Sequence, residues 1–186
     1  MTEPGRGAGR RETHKLSTRR ALEDAALLRF ARDGYDATSV ESIAADAGVS
    51  TRTFFRYFAT KDEVLDMGRV ERQDEVGAAV RFAEGHGLDL VRAAVLALAA
   101  GFAEDRDRVA LRGRAAGSSP VLRGRLLDTL LSWEHTLASA LEERGEPEAA
   151  TLAAVAVAVF RSAVTGWLRD GGALTDHADA GFAALS

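Results

Sequence analysis

An all-α fold is predicted by this sequence, on three observations. Apolar residues recur at spacings of three and four along most of the chain, the period of a helix with one buried face. Three helix starts crowd between residues 38 and 61, which leaves room only for tight turns. Beyond them, longer helical segments are separated by breaks that carry glycine or proline.

The elements follow in chain order. Residues 1–15 are rich in Gly and Arg and read as a flexible basic arm, in which Arg6, Arg10, Arg11 and Lys15 suit a nucleic-acid backbone or minor groove. From Thr18 to Asp33 the positions Ala21, Leu22, Ala25, Leu28, Phe30 and Ala31 approximate a helical stripe, and Gly34 stops it as a C-cap residue. Thr38-Ser-Val-Glu41 has the capping-box pattern and opens a second helix, kept short by Gly48. Ser50 caps a third, Thr51–Phe58, and Thr60-Lys-Asp-Glu63 is another capping box that opens a fourth. Two short helices joined by a glycine-bearing turn make a helix-turn-helix, so residues 16–61 are expected to form a small three-helix domain and residues 62–186 a larger one.

In the larger part, Glu63–Glu84 reads as one long helix ending near Gly85 and Gly87, and Leu88–Glu104 as a strongly apolar one. Arg106–Arg114 is a short charged helix, broken by Ala116-Gly-Ser-Ser-Pro120. Val121–Arg144 places Leu126, Leu130, Trp133, Leu137 and Leu141 on one face. Glu148–Leu168 is apolar nearly all round, and Thr175–Leu185 is a short closing helix. A small monomer struggles to enclose a helix apolar on every side. Pairing the last two long helices with those of a second copy solves this with a four-helix interface, which predicts a homodimer.

Composition narrows the class. With 186 residues, 46% hydrophobic and 28% charged, the chain can bury a real core. It has no cysteine, so disulfides and thiolate chemistry are excluded. The N-terminus lacks the apolar stretch of a secretory signal, and the apolar runs Ala93–Ala103 and Ala149–Phe160 fall short of the roughly 18 residues a membrane span needs, so a cytoplasmic, non-membrane protein is expected. Residues 1–61 hold 11 Lys or Arg against 8 Asp or Glu, and the rest hold 13 against 20. A polyanion would be drawn to the front and repelled by the back.

The stretch TRTFFRYF, Thr51–Phe58, holds four of the chain's 12 aromatic residues. On a helical wheel Phe54 and Phe58 share a face and suit a core completed by Ile43, Ala47 and Val49. The opposite face carries Arg52, Thr53 and Arg56, flanked by Thr51 and Phe55 on one side and Tyr57 on the other. Arg can read guanine edges or hold phosphate, Thr can touch bases or phosphate, and Tyr can reach phosphate oxygens. The bland alternative is an amphipathic bundle helix with solvated arginines.

The segment SVESIAADAGVSTRTFFRYFATKDEVL, Ser39–Leu65, resembles the DNA-binding signature of the TetR family of bacterial repressors. The resemblance implies an all-helical homodimer with an N-terminal helix-turn-helix domain, a divergent C-terminal ligand-binding and dimerisation domain, and a double-stranded operator as partner. It implies Ser50, Thr51, Arg52 and Thr53 in the major groove and Thr38, Tyr57 and Lys61 on phosphates. The family commonly has Tyr where Phe55 stands. Phe55 lacks that hydroxyl, which leaves it apolar contact and passes the anchor to Arg56 or Tyr57. Lys61 stands in the first turn of a helix, where the macrodipole disfavours a cation unless a phosphate lies near.

Residues 107–170, with DRVALRGRAAGSSPVLRGRLLDTLLSWEHTLASAL and then FRSAVTGWLRDGG, are similar to the C-terminal domain of the mycofactocin-regulator subgroup, described as binding acyl-coenzyme A-like ligands. That likeness implies an apolar tunnel and a small-molecule effector of acyl-CoA-like type. Leu98, Phe102, Trp133, Phe160 and Trp167 are candidate walls, and Arg112 and Arg161 candidate anion partners. Against this, aromatic residues at helical spacing often only fill a core, and arginines pair with any nearby acid.

An enzyme is not expected. The four histidines are scattered, with no HExxH, and no nucleophile elbow, Walker loop or dinucleotide fingerprint is present. No catalytic residue, metal site or cofactor is assigned. The rival reading is a helical protein-interaction bundle that no longer binds DNA specifically.

Overall fold

The computed structural model describes residues 6–102 and 105–185, with side chains described from Thr13 onward except at 67–71. All regular structure among the described residues is helical: α1 (Arg6–Asp33), α2 (Val40–Asp46), α3 (Thr51–Tyr57), a 3-10 turn (Asp62–Asp66), α4 (Met67–Phe82), α5 (Gly87–Gly101), α6 (Arg106–Ser118), α7 (Pro120–Glu143), α8 (Ala149–Asp170) and α9 (Leu174–Ala183). The chain divides into two compact units, one built from the residues up to Met67 together with Leu111–Leu126, the other from Gly68–Ala110 and Leu127–Ser186.

The first unit holds the short helices. Leu22, Leu27, Phe30, Ile43, Phe54 and Leu122 are fully buried in its core. α1 ends as predicted, with Gly34 at φ +84° donating its N–H to the Phe30 carbonyl at 3.2 Å. It starts earlier than Thr18, because the Ser17 and Thr18 hydroxyls both bond back to the His14 carbonyl at 2.9 Å instead of capping a new helix. Of the expected arm, residues 1–5 and the side chains of Arg6, Arg10 and Arg11 lie outside the described residues, while the backbone from Arg6 is already helical.

Two predicted caps are corrected. Ser39, not Thr38, caps α2: its Oγ accepts from the Ser42 N–H at 3.1 Å, and the Thr38 hydroxyl donates to the Gly34 carbonyl at 2.7 Å. At the other end Glu63 reaches back to the Ala59 N–H at 2.7 Å, and the chain tightens into the 3-10 turn before α4 begins at Met67. The single long helix expected over Glu63–Glu84 is therefore a turn followed by a shorter helix.

In the second unit α8 packs on α9 and α5, and α5 packs on α9. The break expected over residues 116–120 narrows to Ser119, whose Oγ accepts from the Val121 N–H at 3.2 Å, with Pro120 at the first helical position where no amide donor is needed. α8 has 22 residues and is long and apolar enough to cross a membrane by length and composition, which corrects the expectation that no segment reaches that length. Seven of its residues, including Ala153, Ala156, Phe160, Ala163 and Trp167, are buried in the core of this unit.

Candidate nucleic-acid interface and ligand pocket

The first site is α3 and the turn before it. Gly48, at φ +68°, reverses the chain after α2, and the Val49 N–H closes the turn on the Ala44 carbonyl at 2.9 Å. Ser50 then caps α3, its Oγ accepting from the Thr53 N–H at 3.1 Å and lying 3.0 Å from the Thr53 hydroxyl. Seven residues are too few to hold a helix in water unaided. The buried Phe54 and Phe58 rings, 5.6 Å apart, fix it to the core with Ile43. Anchored by that face, α3 presents the other one.

Ser50, Arg52 and Arg56 are exposed, Thr51, Thr53 and Tyr57 half-buried. Phe55 is 54% exposed, its ring edge-on to Phe54 at 5.5 Å. The Arg56 guanidinium lies 5.1 Å from the centre of the Tyr57 ring. The arrangement offers cations, hydroxyls and one bare ring on a single short helix, a set that can address base edges and phosphates together.

Thr38 and Lys61 stand apart from that set. Thr38 is buried. The Lys61 ammonium donates to the Tyr35 carbonyl at 2.6 Å and the Thr38 carbonyl at 2.9 Å, and sits 4.1 Å from the Tyr35 ring centre. It ties down the loop between α1 and α2. In the same unit, Arg29 grips Asp46 through two hydrogen bonds of 2.6 and 2.8 Å, which hold the Asp46 carboxyl below its usual range. Burial opposes ionisation of Asp62, yet the hydrogen bond from Arg125 at 2.7 Å, with help from its own backbone and Thr60, keeps that carboxyl below its usual range too.

The second site lies within the other unit. A small cavity of about 20 Å³ is lined by Leu98, Phe102, Trp133 and Phe160, together with Val76 and Val95 among others, all of them apolar or aromatic. The three rings meet edge to face, with centres 5.1 to 6.2 Å apart. At this size the cavity has room for about one water. Among these lining residues, Trp133 carries a buried Nε1 that has no hydrogen-bond partner among the described residues.

Three other candidates fall elsewhere. Trp167 is buried at the end of α8, where its Nε1 donates to the Gly172 carbonyl at 3.1 Å. Arg112 belongs to the N-terminal unit and pairs with Glu23. Arg161 is exposed on α8. The cation beside the cavity is instead Arg72, which the sequence reading missed. Its guanidinium stacks 3.7 Å from the Phe102 ring centre, bonds Glu75 at 3.2 Å and pairs with Asp105. Arg72 also lines an open groove of about 790 Å³ with Glu75, Phe82 and Ala97, and Leu98 is common to the groove and the small aromatic cavity. No local spacing marks this residue, since Asp105 is 33 positions away.

Residues 22–66 match the profile of bacterial regulatory proteins of the tetR family. The HTH-type transcriptional regulator TcmR of Streptomyces glaucescens is 47% identical over 58 residues, which make up 31% of this chain and only 26% of TcmR. MftR of Mycobacterium tuberculosis, a proposed mycofactocin biosynthesis transcriptional regulator, is 27% identical over 174 residues, covering 87% of this chain and 84% of MftR. The crystal structure of FadR from Bacillus subtilis in complex with stearoyl-CoA has the same fold, with a TM-score of 0.65 over 89% of this chain and 96% of that one at 18% identity. The tetR-family signature thus lies on the helix-turn-helix segment, residues 22–66, and the chain along most of its length shares the fold of that solved structure.

Proposed function

We propose that the chain is a cytoplasmic repressor that binds a pseudo-palindromic operator as a homodimer and leaves it when an acyl-CoA-like effector enters the C-terminal unit. One observation carries the DNA half: α3 is pinned by Phe54 and Phe58 while Ser50, Arg52, Phe55 and Arg56 stay exposed around it. In a dimer, two such helices would sit about 34 Å apart, one turn of DNA, or a multiple of that. Ser50, Thr51, Arg52 and Thr53 address base edges, Arg56 and Tyr57 the phosphates, and Phe55 makes apolar contact. Lys61 and Thr38 act by holding the loop that supports them.

For the dimer, support comes from exposed apolar positions on the last two long helices: Leu127 and Leu131 on α7, 46% and 61% exposed, and Ala154 and Ala158 on α8. For the effector, support comes from the apolar cavity, from the likeness to MftR and from the stearoyl-CoA complex of FadR. α4 follows the DNA-binding unit directly in the chain and carries Val76 into the cavity wall. A ligand that fits the cavity better with α4 displaced favours a second spacing of the recognition helices, and only that differential affinity can release DNA.

The test is a fluorescence-anisotropy titration against the DNA upstream of the chain's own gene, with a scrambled duplex as control, repeated with stearoyl-CoA. Preferential binding that stearoyl-CoA reverses is the expected result. Preferential binding indifferent to it discards the effector class. No preference between the duplexes shifts weight to a helical protein-interaction bundle.

A further inference from the structure

We infer that Trp133 is a specificity residue of the effector site, its indole N–H donating to the one neutral carbonyl of an acyl thioester whose chain occupies the aromatic cavity. The inference rests on the acyl-CoA reading above and narrows it to an atom.

Two independent observations meet at this residue. The cavity is lined only by apolar and aromatic side chains, with Trp133 among them. The Trp133 Nε1 atom is buried, with the residue 9% exposed, and has no partner among the described residues. A buried donor without an acceptor is disfavoured, and native interiors seldom keep one. The other tryptophan, Trp167, obeys that rule through Gly172. Trp133 is therefore the place where an incoming ligand gains by supplying an acceptor.

The lining also decides which acceptor. An ionised carboxylate would enter without a cation in the cavity wall, and burying an unpaired ion costs far more than one hydrogen bond returns. A saturated hydrocarbon would leave the N–H as it is. A chain bearing a single neutral carbonyl satisfies both conditions, and a thioester places that carbonyl between the chain and its polar carrier. The cavity of about 20 Å³ is too small for such a chain, so binding must open it. Leu98, shared with the open groove beside Arg72, is the residue whose movement would join the two spaces.

The test uses the full chain and calorimetric titration with two ligands, stearoyl-CoA and its S-octadecyl thioether, in which a methylene replaces the carbonyl. The wild type is expected to bind the thioester about tenfold more tightly than the thioether. In Trp133→Phe that ratio should fall to about one. Because loss of the bicyclic ring could also disturb packing, Trp133→benzothienylalanine, which keeps the shape and lacks the N–H, should give the same ratio of about one. A structural role alone would weaken both ligands together and leave the ratio unchanged. A wild-type ratio near one, or a tenfold ratio that survives in both variants, overturns the inference while leaving acyl-CoA binding intact. Failure of both ligands to bind the wild type overturns the acyl-CoA reading and this inference with it.

Discussion

Arg112 closes a buried ion pair with Glu23, donating from Nε at 2.9 Å and again from Nη2 to the same carboxylate oxygen, although the two residues are 89 positions apart. Glu23 is wholly buried. Removing one partner of such a pair strands the other charge, so Arg112→Ala should cost about 3 to 5 kcal/mol of stability in urea or thermal denaturation. Replacing both, with Glu23→Leu and Arg112→Met, should recover most of that loss. A double variant no better than the single one would mean that Glu23 has other support sufficient to hold it charged.

Lys61→Met should act on stability. It removes two charged hydrogen bonds to the carbonyls of Tyr35 and Thr38, worth on the order of 1 to 3 kcal/mol in total. The salt dependence of DNA binding should stay as it was. Unchanged melting together with a slope of log K against log salt shallower by about one would make Lys61 a phosphate contact instead.

Arg52→Ala should weaken operator binding by about 1 to 3 kcal/mol and relax preference at one base position. Equal weakening on every duplex would assign Arg52 to phosphate. At the neighbouring exposed ring, Phe55→Tyr should leave the melting temperature within about a degree, because the added hydroxyl meets solvent, and should tighten DNA binding if a phosphate lies within reach.

What the sequence revealed was local. Gly34, Gly48 and Ser50 end and start helices through bonds to residues at most four or five positions away, and the i, i+4 pair Phe54 and Phe58 announces a buried face by spacing alone. Thr38 and Ser39 are equally good caps by residue type, and only the Thr38 bond to Gly34 decides between them. Leu98, Phe102, Trp133 and Phe160 could be nominated as wall or core but not distinguished. They meet around one cavity because α5, α7 and α8 converge there, with Phe102 just past the end of α5. Arg72 carries no local signal in the sequence, and the positive charge that suits Arg112 and Arg161 to an anion says nothing about distance in the fold.

Glu146 makes the acid stability of the second unit predictable. The Gly87 N–H at 3.0 Å and then His86 at 2.8 Å hold its carboxyl below the usual range. A folded pKa lower than the unfolded one, near 4.3 for glutamate, gives stability that is fully present above that pH and drains away as pH falls through the folded value. Glu146→Gln should therefore melt lower than the wild type at pH 7, and the difference should shrink below about pH 4. A difference that stays constant down to pH 3 would assign the effect to lost packing.

Because the N-terminal unit takes back Leu111–Leu126 after the chain has gone on to Gly68–Ala110, its core is completed by residues made long after its first 67. On the ribosome, the growing chain will have exposed Leu22, Leu27 and Phe30 well before Ala115 and Leu122 emerge to cover them, and Glu23 before its arginine exists. The nascent helix-turn-helix region thus keeps part of its core uncovered until about residue 126, and a transcript truncated soon after α3 should yield a sticky, aggregation-prone fragment in place of a small independent domain.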